Sequence, residues 1–152
     1  MTKQDKKSRS ELTIIDSTGA VVHRVYVKDA SLGLRGANLE GLAAPLAQMQ
    51  GLDLSGAKLY WASLGDADLS FANLSNADLR GAQLCRATCR GTNFSGANLG
   101  LDNIGGRTNL SGADLSTANL TGATFTGALY DDFTRFPAGF DPRGAGMVLE
   151  SE

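Results

Sequence analysis

Histidine, cysteine, proline and aromatic residues are all scarce in this chain, and each scarcity narrows what it can be. Among 152 residues there are one His, two Cys, three Pro and one Trp, and aromatics make up 7%. The lone histidine, His23, offers no Cys–His or Ser–His pairing from which to build nucleophilic or acid–base chemistry, and it reads as an ordinary strand residue. Two cysteines with no histidine nearby fall short of a zinc set. Cys85 and Cys89 lie about 13 Å apart in extended chain at ~3.3 Å per residue, beyond the roughly 7 Å between α-carbons that a disulfide spans. No charge of one sign dominates: the formal net charge is −2, so bulk electrostatics favour neither direct nucleic-acid binding nor mimicry of a polyanion. No apolar run approaches the length of a membrane-spanning helix, and the first ten residues are polar with no signal-peptide core, so a cytoplasmic protein without a membrane segment is expected. A glycine loop at a strand–helix junction, the usual phosphate cradle, is also missing. Enzyme is therefore the least supported class. No catalytic residue, metal, cofactor or small-molecule substrate is expected.

What the chain does have is a period of five. From Ala67 it reads Ala-Asp-Leu-Ser-Phe, Ala-Asn-Leu-Ser-Asn, Ala-Asp-Leu-Arg-Gly, and the same frame runs from about Leu32 to Tyr130. Five fits neither standard element. On one helix the leucines would step round by about 140° and form no stripe. On one straight strand they would alternate between faces. All of them can be buried only if the chain turns once per unit, so that the units become the sides of a coil and successive coils stack through backbone hydrogen bonds. Self-similarity at a fixed period is the usual signature of such stacks. Nineteen glycines suit the many tight turns required.

The Ala-Asp/Asn-Leu-x-Gly units resemble the pentapeptide-repeat family. The resemblance implies an all-β fold, a right-handed, four-sided parallel β-helix in which the central Leu or Phe and the residue two before it face inward. Twenty units counted in this frame give about five coils. It also implies a C-terminal cap, because Tyr130-Asp131-x-x-Thr134-x-Phe136-Pro137-x-Gly139-Phe140-Asp141-Pro142 is similar to an ending common in that family. In this register Cys89 faces inward as a leucine substitute and Cys85 faces outward.

The expected organisation is a disordered tail over 1–10, an N-terminal β-hairpin cap over 11–31, the β-helix over 32–130, and a C-terminal cap and tail over 131–152. The hairpin rests on two β-branched runs, Leu12 to Asp16 and Val21 to Val27, around Ser17-Thr18-Gly19. Residues 42–51 keep the spacing but not the spelling, which leaves open whether they stay in the coil or form a loop or helix. A second break falls at 102–109, where Ile104 to Leu110 is six residues. Asp102 there takes an inward position that is costly for a lone carboxylate. A one-residue bulge at Gly105-Gly106 relieves both problems, with Arg107 near enough in sequence to pair with Asp102.

Positions twenty apart share a face. Of the outward acids Asp53, Asp68, Asp78 and Asp114, only Asp53 and Asp114 are expected to share one, with Asn73 and Asn93 between them. The unusual outward residues are Tyr60, Trp61, Phe71, Arg80 and Leu101, with Tyr60, Trp61, Arg80 and Leu101 on one face. Exposed Trp, Tyr and Arg are the residue types of binding hot spots. These five form the candidate protein-binding surface of a non-catalytic binding or scaffold module, whose partner is an unidentified protein. The alternative comes from the resemblance alone: some members resemble B-form DNA and inhibit or protect type II topoisomerases such as DNA gyrase.

Overall fold

A computed structural model describes residues 10–27 and 33–150. The expected tail (Ser10 apart) and the start of the frame at Leu32 lie outside them. Strands β1 (Ser10–Asp16) and β2 (Val21–Val27) pair antiparallel, with a register shift between Ile14 and Ile15. The Asp16 carboxylate shapes the turn by accepting the N–H groups of Thr18 (2.8 Å) and Ala20 (3.0 Å). The free edge of β1 then pairs antiparallel with β3 (Ala47–Gln48). The hairpin buries Ile14 and Val25 in the common core.

From residue 33 onward the chain is a stack of parallel bridges in four columns. One column runs Asn38, Lys58, Asp78, Asn98; the next begins Ala43, Ser63, Gln83; the third Gln48, Asp68, Thr88; the fourth Asp53, Asn73, Asn93. Each step is twenty residues, four units of five, so the coil has four sides. The hydrogen bonds follow the same step: Lys58 N–H donates to Ala37 C=O (2.9 Å) and Leu59 N–H to Asp78 C=O (2.8 Å). Each corner closes between the centre of one unit and the start of the next, as where Ala62 N–H donates to Leu59 C=O at 3.0 Å.

The side chains explain the spelling. Leu54, Leu59, Leu64, Leu69, Leu74, Leu79 and Leu84 are buried, and so are the alanines two residues before most of them. A narrow interior takes one long and one small side chain per side. Where an Asp or Asn precedes the leucine it has a local task, its Oδ1 accepting the N–H two residues on. Asn73 does so for Ser75 and Asn93 for Ser95, both at 3.1 Å. Cys89 is fully enclosed, as its register implied, and burial pushes its thiol up to about 12. Cys85 is partly exposed, with its thiol also raised by burial.

Residues 42–51 stay in the coil. Ala43 bridges Ser63, and Ala44, Ala47 and Met49 are buried. At the far end β4 (Leu129–Tyr130) pairs parallel with β5 (Val148–Leu149). There Phe136 packs edge-on to Tyr130 and stacks on Phe140, with ring centroids 5.7 and 5.0 Å apart.

The break near residue 102 is not a one-residue bulge. Gln83 bridges Asn109, Thr88 bridges Asp114 and Asn93 bridges Asn119, each a step of twenty-six. Six residues therefore leave the stack, and the unit centred on Ile104 is not one of its sides. The apolar spelling of that unit hides the fact, but Gly105 (φ +89°) and the Asp102 turn make an outward loop the cheaper path. The columns shift accordingly. Asp114 stacks above Thr88 and Asp68, whereas the Asp53–Asn73–Asn93 column continues to Asn119. Asp53 and Asp114 do not share a face.

Candidate functional site

One ridge of the coil, following the Asn38–Lys58–Asp78–Asn98 column, collects most of the unusual outward residues. Tyr60 and Trp61 form its second corner, Arg80 and Gly81 its third, Gly100 and Leu101 its fourth. Trp61 holds φ +57°, a left-handed conformation that costs a side chain about 1–2 kcal/mol. Its indole lies down over the bare Cα of Gly81: a Cβ there would sit 3.2 Å from Trp61 Cδ2. A Cβ on Gly106 would collide with the far edge of the same ring. Those two glycines are what let the indole lie flat along the ridge, 44% exposed.

Tyr60 ties this corner to the looped-out segment. Its ring stands edge-on to Trp61, centroids 6.1 Å apart, and its hydroxyl donates to Asp102 Oδ2 at 3.0 Å. Asp102 is only 7% exposed, and its Oδ1 also accepts the N–H groups of Ile104 (2.8 Å) and Gly106 (2.6 Å). Burial pushes its carboxyl up, but the Gly106, Ile104 and Tyr60 hydrogen bonds together outweigh that and hold it below the usual aspartate range. Arg107 is not its partner. That guanidinium donates to Gly127 C=O at 2.9 Å. The base of the loop closes where Asp102 N–H donates to Gly106 C=O (2.9 Å), and the buried Thr108 hydroxyl reaches Leu79 C=O at 2.9 Å.

Arg80 is held from two sides. Its Nε and Nη2 grip Asp78 at 2.9 and 2.6 Å, and its guanidinium carbon sits 5.5 Å from the Tyr60 ring centroid. The Arg80 pairing is the chief cause that keeps the Asp78 carboxyl below its ordinary value. Leu101 rests on Gly127, and Ile104 at the loop tip is 78% exposed. The ridge thus exposes Trp61 and Leu101, with Ile104 on the adjoining loop, beside Tyr60 and an arginine already paired.

Four of the five expected surface residues thus share this ridge: Tyr60, Trp61, Arg80 and Leu101. Phe71 does not. It occupies the corner two sides further round, diagonally opposite, with φ +60° and its ring over Gly91. The spacing gave this away, since ten residues from Trp61 is half a coil. Missed altogether were Ile104, spelled like a core residue, and Asp102 as the anchor of the loop. Among the described residues no cluster of three or more His, Cys, Asp or Glu is placed to hold a metal, and no helix is long and apolar enough to cross a membrane.

The family model for pentapeptide repeats matches eight copies, over residues 34–70, 62–100 and 106–128, more than half of the chain. Among solved structures the chain is similar to alr5209, a pentapeptide repeat protein from Nostoc Pcc 7120. Identity is 31% over 74% of this chain and 84% of that one, with a TM-score of 0.28. It is also similar to HetL from Nostoc sp. strain PCC 7120, a pentapeptide repeat protein involved in heterocyst differentiation regulation. There identity is 33% over 64% of this chain and 46% of HetL, under half its length, with a TM-score of 0.34. QnrB1, a plasmid-mediated fluoroquinolone resistance protein, is 22% identical over 74% of this chain and 57% of that one, TM-score 0.36. With TM-scores no higher than 0.36, these overlays transfer no site. The sequence matches no curated protein.

Proposed function

Because this chain belongs to the pentapeptide-repeat family, we propose that it works as a non-catalytic protein-binding module whose contact surface is the Tyr60–Trp61–Arg80–Leu101 ridge with Ile104 on the loop beside it. The observation that carries this reading is the buried Asp102 carboxylate, which accepts both the hydroxyl of Tyr60, the neighbour of the exposed indole, and the backbone N–H of the outward Ile104. A surface fixed before contact loses little entropy on binding, and Trp, Tyr and Arg around an apolar centre are the composition of hot spots.

The test is capture of partners from the native host with the full chain, followed by titration of the recovered partner against Trp61→Ala with Arg80→Ala. Removing two anchors should weaken binding by about 2 kcal/mol or more. An unchanged affinity removes this ridge as the site.

The gyrase reading ranks second. It asks for a continuous acidic face, and the columns here interrupt every acid: Asp53 is followed by Asn73, Asn93 and Asn119, and Asp68 by Thr88 before Asp114. A supercoiling assay with gyrase, with and without a quinolone, decides it. No effect at micromolar protein eliminates that reading.

A further inference from the structure

Phe71 stands alone on the opposite ridge. The same corner carries Gly51 one coil before it and Gly91 one coil after it, so the positions stacked directly before and after its ring bear no side chain. The ring is 74% exposed and lies across Gly91, where a Cβ would come within 2.6 Å of it. The charges beside it fall into two bands one coil apart, roughly 4.8 Å. Asp66 and Asp68 share the coil of Phe71, and Arg86 and Arg90 share the next. Arg86 reaches back to Asp66 at 2.6 Å and Arg90 reaches on to Asp114 at 2.7 Å, yet both arginine side chains stay more than half exposed.

We propose that this ridge is a self-association surface, occupied by a second copy of the chain lying antiparallel across it. A two-fold axis perpendicular to the stack, passing between the coil of Phe71 and that of Gly91, sets ring against ring. The same axis lays the acidic band of each copy on the basic band of the other. A parallel arrangement opposes like charges instead. A two-fold contact requires a patch complementary to itself, and the inversion of charge over a single coil step provides it. The Trp61 ridge lies diagonally across the stack, so the pair leaves it open, and the inference stands without the binding function proposed for it.

Sedimentation equilibrium of the full chain from low to high micromolar concentration tests the proposal. Wild type should approach twice the monomer mass, with dissociation favoured by added salt. Phe71→Asn should remain monomeric; asparagine accepts the left-handed corner, as Asn76 does at φ +56°. Asp68→Arg should weaken the pair about tenfold by opposing like charges, and adding Arg90→Asp should restore it. Circular dichroism establishes that each variant is folded, with Phe71→Gly substituting if the asparagine variant is not. A wild type that is monomeric throughout overturns the proposal. So does a dimer that survives loss of Phe71, including one dissolved by Trp61→Ala alone.

Discussion

Residues 52–99 and residues 100–107 are written in nearly the same letters, Leu, Gly, Asn and Asp, and are held by different means. In the first stretch every leucine from Leu54 onward is enclosed on all sides and the backbone is tied to the coils before and after it. Removing one side chain there disturbs three coils. In the second, Ile104 is outside, and the segment keeps its shape through one carboxylate that gathers two N–H groups and a phenol. The lesson is that position relative to the stack decides the worth of a residue, whatever its hydrophobicity. Leu84 and Ile104 are both aliphatic, and only one of them holds the fold.

The largest expected effect lies in the regular coils. Leu84→Asp should abolish cooperative folding by placing a charge in a dry interior, seen as loss of the thermal transition. Leu84→Ala should fold with a loss of about 2–5 kcal/mol by denaturant titration. The same truncation at Ile104 should leave the midpoint within about 0.5 kcal/mol of wild type. Equal losses at the two positions would erase the contrast.

Next comes the anchor of the loop. Asp102→Asn should leave the global midpoint nearly unchanged while amide exchange rises at Ile104 and Gly106 and Trp61 emission shifts. Acid should mimic it in the wild type. The folded-state pKa of Asp102 is depressed, so its contribution is complete above the unfolded value of about 3.9. It is lost as pH falls through the lower folded value. Trp61 emission should therefore be flat from neutral pH to about 4 and change only below that. A transition near pH 6 would point to another group.

A smaller effect separates the two ridges from the core. Phe71→Gly removes an aromatic ring yet relieves a left-handed residue, and should be neutral or stabilising by up to about 1–2 kcal/mol. A loss above 1 kcal/mol would mean that the ring packs as the core residues do. Least of all, Gln83→Ala, one residue from Leu84 but facing outward, should change stability by under about 0.5 kcal/mol.

Much of this was legible in the sequence. The period of five together with the resemblance to pentapeptide repeats yielded the register, so the inward Leu and Ala positions, Cys89 inside and Cys85 outside follow without coordinates. The surface grouping of Tyr60, Trp61, Arg80 and Leu101 followed from counting by twenty. Phe71 was grouped with them on composition, although the same count sets it half a coil away. The size of the excursion was the harder matter. Ile104 keeps the apolar letter of a unit centre, so frame counting saw one extra residue where the structure loops out six. That error moved Asp114 onto the wrong column and offered Arg107 to Asp102, whose partners are the backbone of its own loop and a tyrosine forty-two residues earlier.

The step of twenty-six carries one more consequence. A five-residue insertion absorbed into the coil would rotate everything after it by a quarter turn and scramble each later ridge. Here the added length leaves and returns at almost the same place, with Thr108 Oγ1 3.3 Å from Gly100 C=O, and Asn109 onward stays in phase with Gln83. The stack therefore has a port. Segments of other lengths and sequences can be exchanged between Gly100 and Thr108 without re-indexing the coils on either side. Diversification at this site is uncoupled from the fold, much as a loop graft is uncoupled from its scaffold.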